Sequence, residues 1–117
     1  MRRVQAAAVL LCTMTMVTAC GDDSDDGGST ETETIEVTFS GDTVDPSGER
    51  VEVSVDQPID LVVTADQPGE IHVHTDPEHE IAYEAGTETF ELQISRPGVV
   101  EVESHDLELV IVQLEVR

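Results

Sequence analysis

Four histidines, His72, His74, His79 and His105, are the side chains best suited to metal or proton chemistry, and three fall within GEIHVHTDPEHE, residues 69–80. In EIHVHT the apolar positions are Ile71 and Val73, so an extended strand gathers Glu70, His72 and His74 on its opposite face. Side chains two residues apart on a strand stand about 6.6 Å apart, near enough for two imidazoles to reach toward one ion. Imidazole nitrogen combined with carboxylate oxygen suits Zn²⁺ or Cu²⁺. The same His-x-His spacing also describes a solvated polar face, and among 26 acidic residues a carboxylate neighbours almost any position. Those carboxylates favour the charged imidazolium, which holds off a metal until the ring is deprotonated. A pH-responsive patch is therefore a further expectation from the same residues. His79, within TDPEHE, reads as a turn residue.

The elements that must position these residues are strands. From Ile35 onward apolar and polar residues alternate with period two in TIEVTFS, RVEVSVD, PIDLVVTA, EIHVHT, EIAYEAG, TFELQIS and GVVEVES. The last run, LELVIVQLEV, is the most apolar and is expected to be the most buried. Between the runs lie SGDTVDPSGE, DQP, DQPGE, TDPEH, AGT and SRPG, all rich in turn formers. No stretch shows a helical period and no internal repeat is apparent. Seven to eight short strands at this spacing predict an all-β, Greek-key antiparallel β-sandwich over residues 35–117.

Ahead of this domain the composition changes twice. Arg2 and Arg3 precede the short apolar run VQAAAVLLCTMTMVTA, which closes at Cys20. The box VTAC, residues 17–20, is similar to the lipobox of bacterial lipoprotein signals. That resemblance implies a signal peptide over 1–19, cleavage before Cys20, a lipid anchor on Cys20, and a home on the extracytoplasmic face of the cell membrane. Residues 20–34, almost wholly Gly, Ser, Thr, Asp and Glu beyond the cysteine, have nothing apolar to bury and read as an acidic, disordered tether. Cys12 would leave with the signal and Cys20 would carry lipid, so the domain has neither thiol nor disulfide. Beyond Cys20 the only basic residues are Arg50, Arg96 and Arg117, against 26 carboxylates, for a net charge of about −23. Such a surface repels nucleic acid and anionic lipid head groups and gathers cations.

The order of EIHVH, a strand ending in AGT, then RPGVVEVESH and LVIVQLEV resembles cupredoxin-like domains of exported bacterial lipoproteins. The resemblance covers most of 35–117. It implies that His72 corresponds to the first copper-binding histidine of blue-copper proteins and His105 to the second. The same resemblance places Ser104, or a neighbour, where those proteins carry a cysteine, and no methionine follows Met16. Without a thiolate ligand a blue-copper electron-transfer centre is not expected.

No G-x-S-x-G elbow or phosphate-cradling glycine loop is present. Ser104, His105 and Asp106 are consecutive, and neighbours on a strand point to opposite faces, so they do not form a triad. The sequence therefore predicts a non-enzymatic, lipid-anchored envelope protein whose domain is a binding or interaction module for an unidentified protein partner. The alternative is labile Cu(II) or Zn(II) binding or delivery through His72, His74 and His105, with Glu103 or Asp106 beside them.

Overall fold

The alternating pattern folds into nine strands in two sheets, in a computed structural model that describes residues 31–117. The expected signal peptide, Cys20 and residues 20–30 of the expected tether lie outside the described residues. One sheet has the order β2-β1-β4-β7, from β1 (Glu33–Ser40), β2 (Thr43–Asp45), β4 (Ile59–Ala65) and β7 (Gly86–Leu92). The other has the order β3-β9-β8-β5-β6, from β3 (Glu49–Val53), β5 (Gly69–Val73), β6 (His79–Tyr83), β8 (Gly98–Ser104) and β9 (Leu109–Val116).

Two details differ from the sequence expectation. The ninth strand is β2, three residues inside SGDTVDPSGE that pair antiparallel with the end of β1, Val44 opposite Phe39. One buried apolar residue between turn formers is too short a signal for a period to emerge. The sheets are also not purely antiparallel, because β1 runs parallel to β4 and β3 parallel to β9. The chain leaves the first sheet after β2, adds β3 to the second, and returns as β4, and that crossover brings β4 alongside β1 in the same direction.

The core lies between the sheets. Ile35, Val37 and Phe39 of β1 alternate inward, as do Ile59, Leu61, Val63 and Ala65 of β4, and all are buried. Ile71, Val73, Val100, Val102 and Leu114 meet them from the other sheet. A bulge lets β9 bury two consecutive residues: Val102 pairs with Val112 and Glu103 with Val110, so Ile111 is the extra residue. The expectation that the last run is deeply buried holds for Ile111, Val112, Leu114 and Val116. Outward positions carry mostly Glu, Asp and Thr, so each strand has one apolar and one charged face.

Leu61, fully buried at 0% exposure, tests this packing. Leu61→Ala should cost about 2–5 kcal/mol in urea unfolding. Val99→Ala, at an exposed position, should stay within about 0.5 kcal/mol of wild type.

Candidate metal centre

Strand β5 lies between β6 and β8 and pairs with both. Ile71 faces Ile81 on one side and Ser104 on the other, and these positions enter the core. One residue along, His72 faces Glu80 on β6 and Glu103 on β8, and these point outward. The β5–β8 pairing continues past the strand ends. The His105 amide donates to the Glu70 carbonyl at 3.0 Å, and the His74 amide to the Glu101 carbonyl at 2.9 Å. Those two bonds set His105 beside Glu70 and His74 beside Glu101, on the outward face of one sheet.

The rings then meet. His105 stacks on His72 with centroids 4.7 Å apart and planes at 21°, while His74 stands 6.4 Å from His72 at 70°. His72 Nε2 lies 2.6 Å from Glu70 Oε1, and its Nδ1 lies 3.2 Å from Glu78 Oε1. The other oxygen of Glu78 is 3.2 Å from His74 Nδ1, and His74 Nε2 is 2.8 Å from Glu103 Oε2. The result is an unbroken row, Glu70–His72–Glu78–His74–Glu103, in which every ring nitrogen faces a carboxylate. Glu78 is aimed by the turn before β6, where the Thr75 hydroxyl donates to the Pro77 carbonyl at 2.7 Å.

Ligand-type atoms of Glu70, His72 and His105 all lie within 4.8 Å of one another. The structure brings His72 and His105 together across 33 residues of chain, a meeting that the sequence left open. His74 belongs to the same patch but not to that group, and Glu103 turns to His74 rather than to His72. Asp106 points elsewhere, accepting the Glu70 amide at 2.9 Å. His79 is the first residue of β6 and not a turn residue; it sits opposite Val73, outside the row. Glu70, Glu78 and Glu80 are the members that sequence reasoning missed as ligands. Alternation already placed Glu70 on the face of His72, but Glu78 and Glu80 arrive through a β5–β6 register that no spacing along the chain encodes.

Of the positions expected for the blue-copper cysteine, Ser104 itself points into the core. Ser104 is 0% exposed, faces the core opposite Ile71, and its hydroxyl accepts the Leu107 amide at 3.2 Å. Ser104 and His72 therefore lie on opposite faces of one sheet. The imidazoles form a surface group on the face opposite the Ser104 side chain. Its donors fit an N,N,O cation site and do not fit a copper–thiolate centre.

The turn that brings His105 in is tightly held. Asp106 and the Tyr83 hydroxyl close over Gly69, where a Cβ would lie 2.6 Å from Tyr83 Cζ and 2.7 Å from Asp106 Oδ2. Only glycine leaves room there. Tyr83 in turn stacks on Phe39 at 4.8 Å and 18°, and burial, with the Asp106 and Asp66 charges, raises its pKa.

Electrostatics favour a charged ring at His72. The hydrogen bond to Glu70 is the largest cause of its raised pKa; burial works against it, and the charges of Glu78, Glu70 and Glu80 add to it. For both imidazoles to bind one ion, Glu70 must release Nε2 and the near-parallel rings must tilt toward each other. His105 is exposed and free to turn, whereas His72, 18% accessible, is held between its neighbours.

Two packed sheets with this strand order form a cupredoxin-like β-sandwich. A mutant amicyanin with Cu(I) shares the fold at TM-score 0.55 and 10% identity, over 72% of this chain and 82% of that one. The metal-binding domain of the Cu(I)-exporting P-type ATPase CopA from Streptococcus pneumoniae D39 aligns at TM-score 0.56 and 12% identity, over 77% and 99%. A purple cupredoxin from Nitrosopumilus maritimus aligns at 0.52 and 15%, over 73% and 99%. The sequence matches no protein-family model and no curated protein.

The raised pKa fixes a sign. Pairing to His72 stabilises the fold fully below its ordinary value of 6.5, and that contribution is lost as pH rises through the higher folded value. An NMR titration of the ring should show a midpoint above 6.5, and Glu70→Gln should lower it more than Glu80→Gln. An unchanged midpoint in Glu70→Gln would contradict the assignment.

Proposed function

We propose that this chain is a non-enzymatic copper(II)-binding protein that holds a labile ion through Glu70, His72 and His105 on its outer sheet face. The observation that carries the reading is the convergence of one carboxylate and two imidazoles within 4.8 Å, Glu70 and His72 from β5 and His105 from the turn after β8. Nitrogen and carboxylate donors suit Cu²⁺, and the usual affinity order places Cu²⁺ above Zn²⁺ at a site of this kind. Exposure of His105, and competition from the Glu70 hydrogen bond, favour exchange over permanent retention. Copper-binding proteins among the structural neighbours support a copper reading, although likeness of fold does not transfer their site. A carboxylate-rich surface steers cations toward the face and keeps polyanions such as nucleic acid away.

The reading includes a location. The VTAC box supports lipidation of Cys20, with residues 20–34 as a tether that holds the domain off the extracytoplasmic face of the membrane. Intact mass measurement of membrane-extracted protein should show the lipid adduct at Cys20 and lose it in Cys20→Ala. The interaction-module reading stays second, because the cluster around His72 has a definite geometry suited to a cation.

Calorimetric titration of the full chain in detergent checks the copper site. Cu²⁺ should bind more tightly than Zn²⁺, and His72→Ala or His105→Ala should weaken Cu²⁺ binding by more than about tenfold, since even an outer-shell partner of a metal ligand is worth that much. Equal, salt-sensitive binding by all three proteins would reduce the effect to diffuse attraction by an acidic surface.

A further inference from the structure

We infer that the same face takes two ions, the second held by the other nitrogen of His72 together with Glu78 and Glu80, so that the His72 ring bridges them. The inference rests on the site proposed above. Its starting point is that His72 belongs to two ligand groups at once: with Glu70 and His105, and with Glu78 and Glu80, each within 4.8 Å. The two groups meet opposite edges of the ring, Glu70 at Nε2 and Glu78 at Nδ1. The second group uses the Nδ1 edge of the ring, which the Glu70 contact leaves open.

The geometry keeps the ions apart without separating their ligands. With metal–nitrogen bonds of about 2.0–2.1 Å on opposite edges of an imidazole, the ions would lie about 6 Å from each other. Occupying both nitrogens would displace both ring protons to solvent, and the His72 imidazolium would become a bridging imidazolate. The charges then balance: four positive from two divalent ions, against three from Glu70, Glu78 and Glu80 and one from the ring. A neutral centre on a sheet face costs little in repulsion. Glu78 has a second oxygen already turned to His74 Nδ1, at 3.2 Å, so His74 is the neighbour placed to support the second ion. Glu80 is brought opposite His72 by the β5–β6 register, and Glu78 by the turn that precedes it.

Titrating the full chain with Cu²⁺ and following both native mass and electron paramagnetic resonance tests this. Two ions should bind per chain. The resonance signal should rise to one equivalent and then fall as the second copper couples to the first through the shared ring. The double variant Glu78→Gln, Glu80→Gln should keep one ion with its full signal. Saturation at one ion, two ions with undiminished signal, or two coupled ions in the double variant would each overturn the inference. Failure of the underlying copper site looks different: Glu70→Gln and His105→Ala would then leave the first ion's binding untouched. All these substitutions are on the solvent face, and circular dichroism confirms that each variant is folded.

Discussion

Two-sided pairing of β5 is the constraint from which the surface chemistry follows. Because β6 and β8 both hydrogen-bond to this one strand, its alternation is imposed on three strands together. Ile71 and Val73 pull Ile81, Ser104 and Val102 inward with them, and the residues left outward are Glu70, His72, Glu80 and Glu103. A slip of one residue would bury the imidazoles and carboxylates and expose the core, a cost no turn could offset. The apolar face thus fixes the arrangement of the polar one, and the imidazoles are held in place by residues that never touch them.

Much of this was legible in the sequence because period two is a local property. Eight of the nine strands, the core face of each, and the shared face of Glu70, His72 and His74 follow from residue order alone. Resemblance of layout singled out His72 and His105 as a pair and left open whether they meet; the β5–β8 pairing brings them together. Ser104 itself faces the core while His72 faces outward. Local patterning carries no information on how far one strand slides along the next. For that reason Glu78 and Glu80, and the turn of Glu103 toward His74, were out of reach until the register was known. The parallel pairs were missed for a similar reason: direction depends on where the chain crosses between sheets.

The separation of Ser104 from the imidazoles also bears on chemistry. Among the described residues, the nitrogen and carboxylate donors gather on the outward face around His72, while Ser104 lies on the inward face. Returning a cysteine at 104 would place sulfur beside Ile71 and Val102, with the histidines across the sheet. A cysteine there would stand apart from the nitrogen and carboxylate donors gathered on the outer face.

Among the described residues, strand β6 ends its sheet, held along one side by β5, with no strand on its other edge. Edge strands are the part of a sheet that frays first and exchanges its amide protons soonest. Of the groups gathered around His72, Glu80 is on this strand and Glu78 immediately precedes it. Any cation shared between them and the β5 ring would act as a rivet through the sheet margin, adding a cross-link where hydrogen bonding is one-sided. Local opening of that margin would then report on occupancy, and the mechanical state of the edge would be coupled to the supply of ions around it.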